Sequence, residues 1–367
     1  MTPIRILIVD DSSTTRLMLT RLLTRDPNIE VAATAADGLI ALAKLEQSQP
    51  DLVLLDVEMP QLNGLETLRA LRRQYPVLPV IMFSRLTKRG TAESVEALFL
   101  GADDYILKPD SSDALEQCVE QELLPRIRTL VELRARARLA VPTRSTNPDD
   151  SQRTLAAKAA ISLRTGSAAA RVEVVTIAAS TGGPAVLATV LAALPSDLKT
   201  PVLIVQHISV GFTAALADRL SQRTGLVVKE AAADLPLDAA QVWIAAAGHH
   251  LELARNPAGV SLRLHQEPPE HSCRPAADVL FRSAAEVFGP AVLGVVLTGM
   301  GVDGLSGSQA IVDAGGRVIV QDEASSVVWG MAGSVARAGL ADAMLTPVRV
   351  GRMIRQRLSE PGSRESH

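Results

Sequence analysis

Ser180, His207 and Asp303 have the side-chain types that perform acyl transfer, and each stands just beyond a strand-like run. Ser180 follows residues 171–177, an apolar, β-branched run that reads as a buried strand. Thr181, Gly182, Gly183 and Pro184 come next; small residues turn the chain, and Pro184 suits the first turn of a helix. The hydroxyl is therefore expected at the carboxyl end of a parallel strand, with helix-start N–H groups nearby for an oxyanion. The G-x-S-x-G of a nucleophile elbow is absent, and a helix N-cap is the competing role for such a serine. His207 directly follows 202–206, and Asp303 lies in 298–304, after 292–297. A hydroxyl needs a base to attack at neutral pH, and the imidazole needs a carboxylate to orient it. Neighbouring strands of one sheet bring such groups together. His249, His250, His265 and His271 compete with His207 for the part of the base.

A second pattern overlaps the first. Gly299, Gly301 and Gly304 form a literal G-x-G-x-x-G between a strand and a helix, and Asp322 follows the next strand, where a ribose-binding acid belongs. That is the pattern of a dinucleotide-dependent oxidoreductase. Against it, Asp303 stands inside the loop, where its charge faces a pyrophosphate at a helix start. A dinucleotide site also leaves Ser180 and His207 without a task. From the residues alone both readings stand, and the esterase-like one explains more.

The first third of the chain collects polar groups at strand ends. Asp10 and Asp11 follow the first strand, Asp56 the third, Ser84 the fourth, and Lys108 with Pro109 the fifth. Three converging carboxylates repel one another unless a hard cation joins them, and Mg²⁺ suits Asp10, Asp11 and Asp56. One carboxylate then serves as a phosphoryl acceptor, with Ser84 and Lys108 bonding the phosphoryl oxygens. Helix capping is the bland alternative, and it accounts for one or two of these positions only.

The elements that position these groups alternate along the chain. Strands are expected at 4–9, 52–55, 80–83 and 105–107, with a helix at 13–25 whose apolar side is Leu17, Leu19, Leu22 and Leu23. Beyond 171, strands are expected at 202–205, 241–245, 292–297 and 317–320, and helices at 212–223, 276–287 and 305–314. Residues 227–228 and 251–264 add a strand or hairpin. The predicted fold class is α/β: two doubly wound, mainly parallel-sheet domains joined by a flexible linker. The expected divisions are 1–126, a linker over 127–170, a second domain over 171–356 and a tail over 357–367. Arg134, Arg136 and Arg138 give the linker a basic bias, and residues 155–163 are expected to add a helical turn or two.

Composition narrows the function classes. A chain of 367 residues with 47% hydrophobic content holds about two cores. A net charge of −3 and 2% aromatic content argue against a nucleic-acid binder, since few rings are available to stack on bases. Cys118 and Cys273 are far apart and fit reduced thiols. The chain enters a strand almost at once, leaving no room for a signal peptide, and no apolar stretch nears the roughly 18 residues of a membrane span. A cytoplasmic protein without direct membrane insertion is expected.

Residues 3–126 resemble the receiver domain of bacterial response regulators, on Asp10-Asp11, Asp56 with Met59-Pro60 and Gly64, Ser84, and Lys108-Pro109. The resemblance implies phosphorylation of Asp56 by a histidine kinase of the chemotaxis pathway, Mg²⁺ on Asp11 and Asp56, and Tyr105 as a switch aromatic. The later motifs are similar to the chemotaxis protein-glutamate methylesterases, the CheB family. They comprise Ser180-Thr181-Gly182-Gly183, Gln206-His207 with Phe212-Thr213, and Cys273-Arg274-Pro275 with Asp278-Val279-Leu280-Phe281. Thr298-Gly299-Met300-Gly301 with Asp303-Gly304, and Gln321-Asp322-Glu323-Ala324-Ser325, complete the set. By that resemblance Ser180 is the nucleophile, His207 its base and Asp303 the orienting acid, while Thr181 and the backbone of Met300 shape the oxyanion site. It implies γ-glutamyl methyl ester hydrolysis on chemoreceptor cytoplasmic domains, deamidation of receptor glutamines, and no cofactor for the ester chemistry. A receiver ahead of such a site implies that phosphorylation of Asp56 releases the activity. Ala246, Ala276 and Ala332 depart from the family pattern, standing where Pro, Ser and a Gly-Met-Pro segment are usual. A receptor-binding scaffold without catalysis is the alternative from a different class.

Overall fold

The β-branched apolar runs become strands buried on both faces, as parallel sheets require. The computed structural model describes residues 2–85, 88–139, 161–164, 170–237 and 241–360. In the first unit, β1 (Ile4–Val9), β2 (Ile29–Ala35), β3 (Leu52–Leu55), β4 (Val80–Ser84) and β5 (Asp104–Leu107) form a sheet of order β2-β1-β3-β4-β5. Helices α1 (Ser13–Leu23), α2 (Gly38–Ser48), α3 (Gly64–Gln74) and α4 (Lys88–Phe99) connect the strands. All four residues of β3 are buried, which puts Asp56 at the end of a fully enclosed strand.

The caps decide one of the sequence alternatives. Ser12, not an aspartate, caps α1 by accepting from Thr15 N. Asp37 caps α2, and Asn63 with Glu66 forms a capping box on α3. The aspartates after β1 and β3 are thus left for another task. One residue on α1 differs from expectation: Leu19, Leu22 and Leu23 are buried, but Leu17 is 72% exposed. Residue 17 falls on the solvent side of the helical turn that buries 15, 19, 22 and 23.

Helix α5 (Ser112–Cys118) continues through a single π turn into α6 (Leu124–Leu139), which crosses the boundary expected at 126. Arg134, Arg136 and Arg138 therefore lie on a helix. The helical turn expected at 155–163 falls at 155–160 outside the described residues, and 161–164 is not helical.

The second unit is built on a parallel sheet of order β14-β13-β12-β6-β7-β9-β8, seven strands among the described residues. These are β6 (Val174–Ala179), β7 (Val202–Gln206), β8 (Val228–Glu230), β9 (Val242–Ile244), β12 (Val292–Val296), β13 (Arg317–Gln321) and β14 (Ala343–Leu345). The run at 251–264, expected to be a strand or a hairpin, is a hairpin: β10 (His250–Asn256) pairs antiparallel with β11 (Gly259–His265). The helices that follow the central strands are α7 (Gly183–Leu191), α8 (Thr213–Thr224), α9 (Ala277–Phe288), α10 (Leu305–Asp313) and α11 (Met331–Arg337). A last helix, Pro347–Ser359, runs past residue 357, where the tail was expected to begin. β6 lies between β12 and β7, so the carboxyl ends of three adjacent strands open on one crevice. No described helix is long and apolar enough to cross a membrane.

Candidate active site

The chain at Ser180 turns as its residues dictate. Ser180 N donates to Thr298 O at 3.0 Å, tying the end of β6 to the loop after β12. Its carbonyl accepts from Gly183 N at 2.7 Å and from Gln206 Nε2 at 2.9 Å. Gly182 is the N-cap of α7 at φ +76, a conformation that side chains resist, and no side chain caps the helix. Ser180 therefore does not serve as the cap that the sequence allowed. Pro184 occupies the first turn, as expected.

His207 is placed by strand register. Ala179 pairs with Gln206 across β6 and β7, and His207 N donates to Ala179 O at 3.0 Å. Ser180 and His207 thus stand side by side at the ends of adjacent strands, which lie about 4.8 Å apart. On the other side of the ring, His207 Nε2 lies 2.7 Å from Asp303 Oδ2. The second ring nitrogen, Nδ1, faces Cys273 Sγ at 3.7 Å. Among the described residues the Ser180 hydroxyl carries no hydrogen bond, so the His207–Asp303 pair is formed while the Ser180–His207 link is open.

Asp303 is fixed from all sides. Oδ2 also accepts from Ala277 N at 2.7 Å, and Oδ1 accepts from Asp278 N at 2.9 Å and Gly304 N at 3.0 Å. Ala277 and Asp278 open α9, so the carboxylate sits on the positive end of a helix. Ala276, the residue where serine was expected, offers that helix no side-chain cap, and Asp303 supplies the acceptors. The same bonds weigh against the dinucleotide reading, because the acid inside G-x-G-x-x-G takes Gly304 N, a loop N–H that a phosphate would need. Burial pushes the Asp303 carboxyl up, but the His207 hydrogen bond and charge and these backbone donors outweigh it and hold it below the usual range. For His207, burial disfavours the charged form, yet the bonds to Asp303 and Cys273 raise it from 6.5 to about 9.

The competing histidines have other partners. His250 is buried, with Nδ1 accepting from Ala276 N and Nε2 against Pro268 O. His271 Nε2 lies 3.0 Å from Asp278 Oδ2. His265 faces Glu252, and His249 faces Gln266. Thr181 is buried and its carbonyl accepts from Thr298 Oγ1 at 3.0 Å, while Met300 is half-buried in the loop after β12. Sequence reasoning gave no role to Thr298 or to Gln321, whose Oε1 accepts from Thr298 N at 2.8 Å and braces that loop. Only their membership of motifs marked them.

Close packing makes a prediction at Gly299. A Cβ there would lie 2.3 Å from Met331 Sδ and 2.8 Å from Ser180 Cβ. Gly299→Ala should displace Ser180 and destabilise the domain by about 1–3 kcal/mol, the usual cost of overpacking. A thermal melt would show it, and an unchanged Tm would mean that the loop yields freely.

The first unit has its own cluster. Oxygens of Asp10, Asp11 and Asp56 lie within 4.8 Å of one another. Lys108 Nζ lies 2.7 Å from Asp10 Oδ2 and 2.5 Å from Asp56 Oδ2, and Lys108 N donates to Ser84 O at 2.8 Å. Burial, with help from the Asp56 charge, raises the Asp10 carboxyl against the opposing pull of Lys108. Asp11 alone of the three is exposed. An all-oxygen set with an open side fits Mg²⁺ and its retained waters. Tyr105 is buried on β5.

Known proteins share both halves. The family model for CheB methylesterase matches residues 175–354, and the one for the response regulator receiver domain matches 6–120. A protein-glutamate methylesterase/protein-glutamine glutaminase of Trichodesmium erythraeum (strain IMS101) is 45% identical over 344 residues, 93% of this chain and 95% of that protein. A protein of the same description from Nocardioides sp. (strain ATCC BAA-499 / JS614) is 44% identical over 361 residues, covering 97% and 96%. Among solved structures, the Thermotoga maritima CheB methylesterase catalytic domain is similar at 35% identity with a TM-score of 0.50, covering 50% of this chain and 98% of that one.

Proposed function

The chain belongs to the protein-glutamate methylesterase/protein-glutamine glutaminase family, and from that membership we propose that it hydrolyses γ-glutamyl methyl esters on chemoreceptors under control of its receiver. The observation that carries the reading is the His207–Asp303 pair at 2.7 Å beside the Ser180 turn. Ser180 Oγ attacks the ester carbonyl while His207 takes its proton. Asp303 holds the ring and balances its positive charge. The developing oxyanion is met by N–H groups around Thr181 and Met300. Methanol leaves with the proton from His207, and water then hydrolyses the acyl-enzyme by the same base. A side-chain amide gives the same acyl-enzyme with ammonia as leaving group, which is the glutaminase reaction. The ester chemistry uses only these side chains.

The division proposed is a receiver over 1–126, a linker over 127–170, the hydrolase over 171–356 and a tail over 357–367. In the receiver, Asp56 is the phosphoryl acceptor, supplied by a histidine kinase of the chemotaxis pathway. Asp10, Asp11 and Asp56 would hold Mg²⁺, which when bound offsets the negative charge gathered at that corner. Lys108 and Ser84 are placed to pair with phosphoryl oxygens, and Tyr105 is the proposed switch aromatic. Receptor cytoplasmic domains as substrate go with a cytoplasmic location.

The test uses methylated receptor cytoplasmic fragment and an assay for methanol. The full chain should release methanol, and a small phosphodonor with Mg²⁺ should raise the rate. Asp56→Ala should stay at the basal rate under the same conditions. Absence of methanol release from the phosphorylated chain would favour the scaffold reading. An equal response in Asp56→Ala would remove the aspartate from the control.

A further inference from the structure

Cys273 occupies a place that the proposed reaction needs for something else. Its sulfur lies 3.7 Å from His207 Nδ1, while Nε2 of the same ring faces Asp303 at 2.7 Å. In the neutral ring, with Nε2–H donated to the carboxylate, Nδ1 is bare and accepts the thiol proton's hydrogen bond. Nδ1 is also the nitrogen left for the Ser180 hydroxyl.

The thiol is held there by a built turn. Cys273 N donates to Glu270 O at 2.8 Å, and Glu270 N donates to Cys273 O at 3.2 Å. The two residues between, His271 and Ser272, take φ +50 and +62, the left-handed pair of a type I′ turn formed here without glycine. Such a conformation costs of order 1–3 kcal/mol per residue unless the surroundings fix it. They do: Arg282 bonds both oxygens of Glu270, and Arg274 bonds the carbonyls of Gln266 and Glu267. Cys273 is half-buried, whereas Cys118 is buried.

We propose that Cys273 is a covalent modification site for soft electrophiles, and that its alkylation silences the hydrolase by capturing the face of His207 that Ser180 uses. The inference rests on the hydrolase reading above. In the step, sulfur forms a bond to the electrophilic carbon, the carbon–halogen bond of an alkyl halide breaks, and halide leaves with its electron pair. The thiol proton passes to His207 Nδ1 and then to solvent. The S-alkyl group that remains has no proton to give and fills the space beside the ring. In the unmodified enzyme the thiol yields Nδ1 to Ser180 when substrate binds, which makes Cys273 a positioning residue for the base. The groups against the ring are Asp303 and Cys273, with Asp278 and His271 behind Asp303.

The experiment treats the full chain with iodoacetamide at about pH 9, where a large share of His207 is neutral, then follows methanol release and maps the label by mass. Activity should fall in proportion to the fraction of Cys273 alkylated, with Cys118 unlabelled over the same interval. His207→Gln should slow labelling of Cys273 severalfold, because the imidazole no longer takes the thiol proton. Cys273→Ala should lose nothing further on treatment, and the acidic limb of its kcat/KM profile should move to lower pH. Full labelling of Cys273 with activity kept overturns the proposal, as does equal inactivation of Cys273→Ala or a labelling rate indifferent to His207. If the untreated chain releases no methanol, the hydrolase reading fails instead, and the labelling rates still decide whether His207 activates the thiol.

Discussion

Ser180→Ala lowers methanol release by about 10⁴–10⁶-fold, the scale on which a hydrolase loses rate when its nucleophile is removed. The expectation follows from what the side chain does and does not do. The three hydrogen bonds that fix this turn are made by backbone N–H and carbonyl, and the hydroxyl caps no helix. Alanine therefore keeps the turn, and the loss is chemical. A thermal melt should move little, and binding of the receptor fragment should persist. A turnover within about tenfold of the wild type would remove Ser180 from the role of nucleophile.

Asp303→Asn costs both rate and stability. Loss of the orienting carboxylate is worth about 10⁴-fold in triads of this design. Here the change reaches further, because Oδ2 accepts from His207 and Ala277 N while Oδ1 accepts from Asp278 N and Gly304 N. Whichever way an amide is turned, its NH₂ meets donors. Leaving such buried groups unpaired costs about 1–3 kcal/mol. The pH dependence separates the two effects. In the wild type His207 must be neutral to act, so kcat/KM rises with pH through about 9. Without the carboxylate burial dominates, and the rising limb moves to lower pH as the maximum falls. The stability difference between the two proteins has its own signature. Asp303 is held low, so its contribution is present above the ordinary carboxylate value of 3.8 and lost below it. His207 is held high, so its contribution is complete below 6.5 and lost as pH rises through about 9. Denaturant melts should show the widest gap between about pH 4 and 6.5. A gap that does not vary with pH would mean that Asp303 acts as a cap alone.

Much of this was legible in the sequence for a local reason. Continuous apolar runs such as 202–205 and 292–296 fit strands buried on both faces, and chemistry-bearing residues stood in the segments that follow them. Strand-end placement marked Ser180, His207 and Asp303 as candidates, and the family motifs supplied their expected roles. What escaped depended on distant partners. β2 is a half-exposed edge strand, and β14 is short, so neither carries a strong apolar signature. The capping of α9 by Asp303 joins residues 26 apart in the chain. The approach of Cys273 to His207 depends on a type I′ turn written as His271-Ser272, where glycine or asparagine would have announced it. Leu17 was misassigned because leucines on every side of a helix blur its period.

The seat of Asp303 on α9 also bears on how such a site is lost in evolution. Ser180 supports no helix, so a lineage that stopped needing the hydrolysis could replace it at little thermodynamic penalty. Asp303 is a fastener as well as a reactant, and its removal loosens the start of a helix that lies against β6 and β12. Decay of the chemistry should therefore proceed in a set order, serine first and aspartate last. A descendant that keeps the aspartate without the serine would be read as a retired enzyme still using part of its machinery as a bolt.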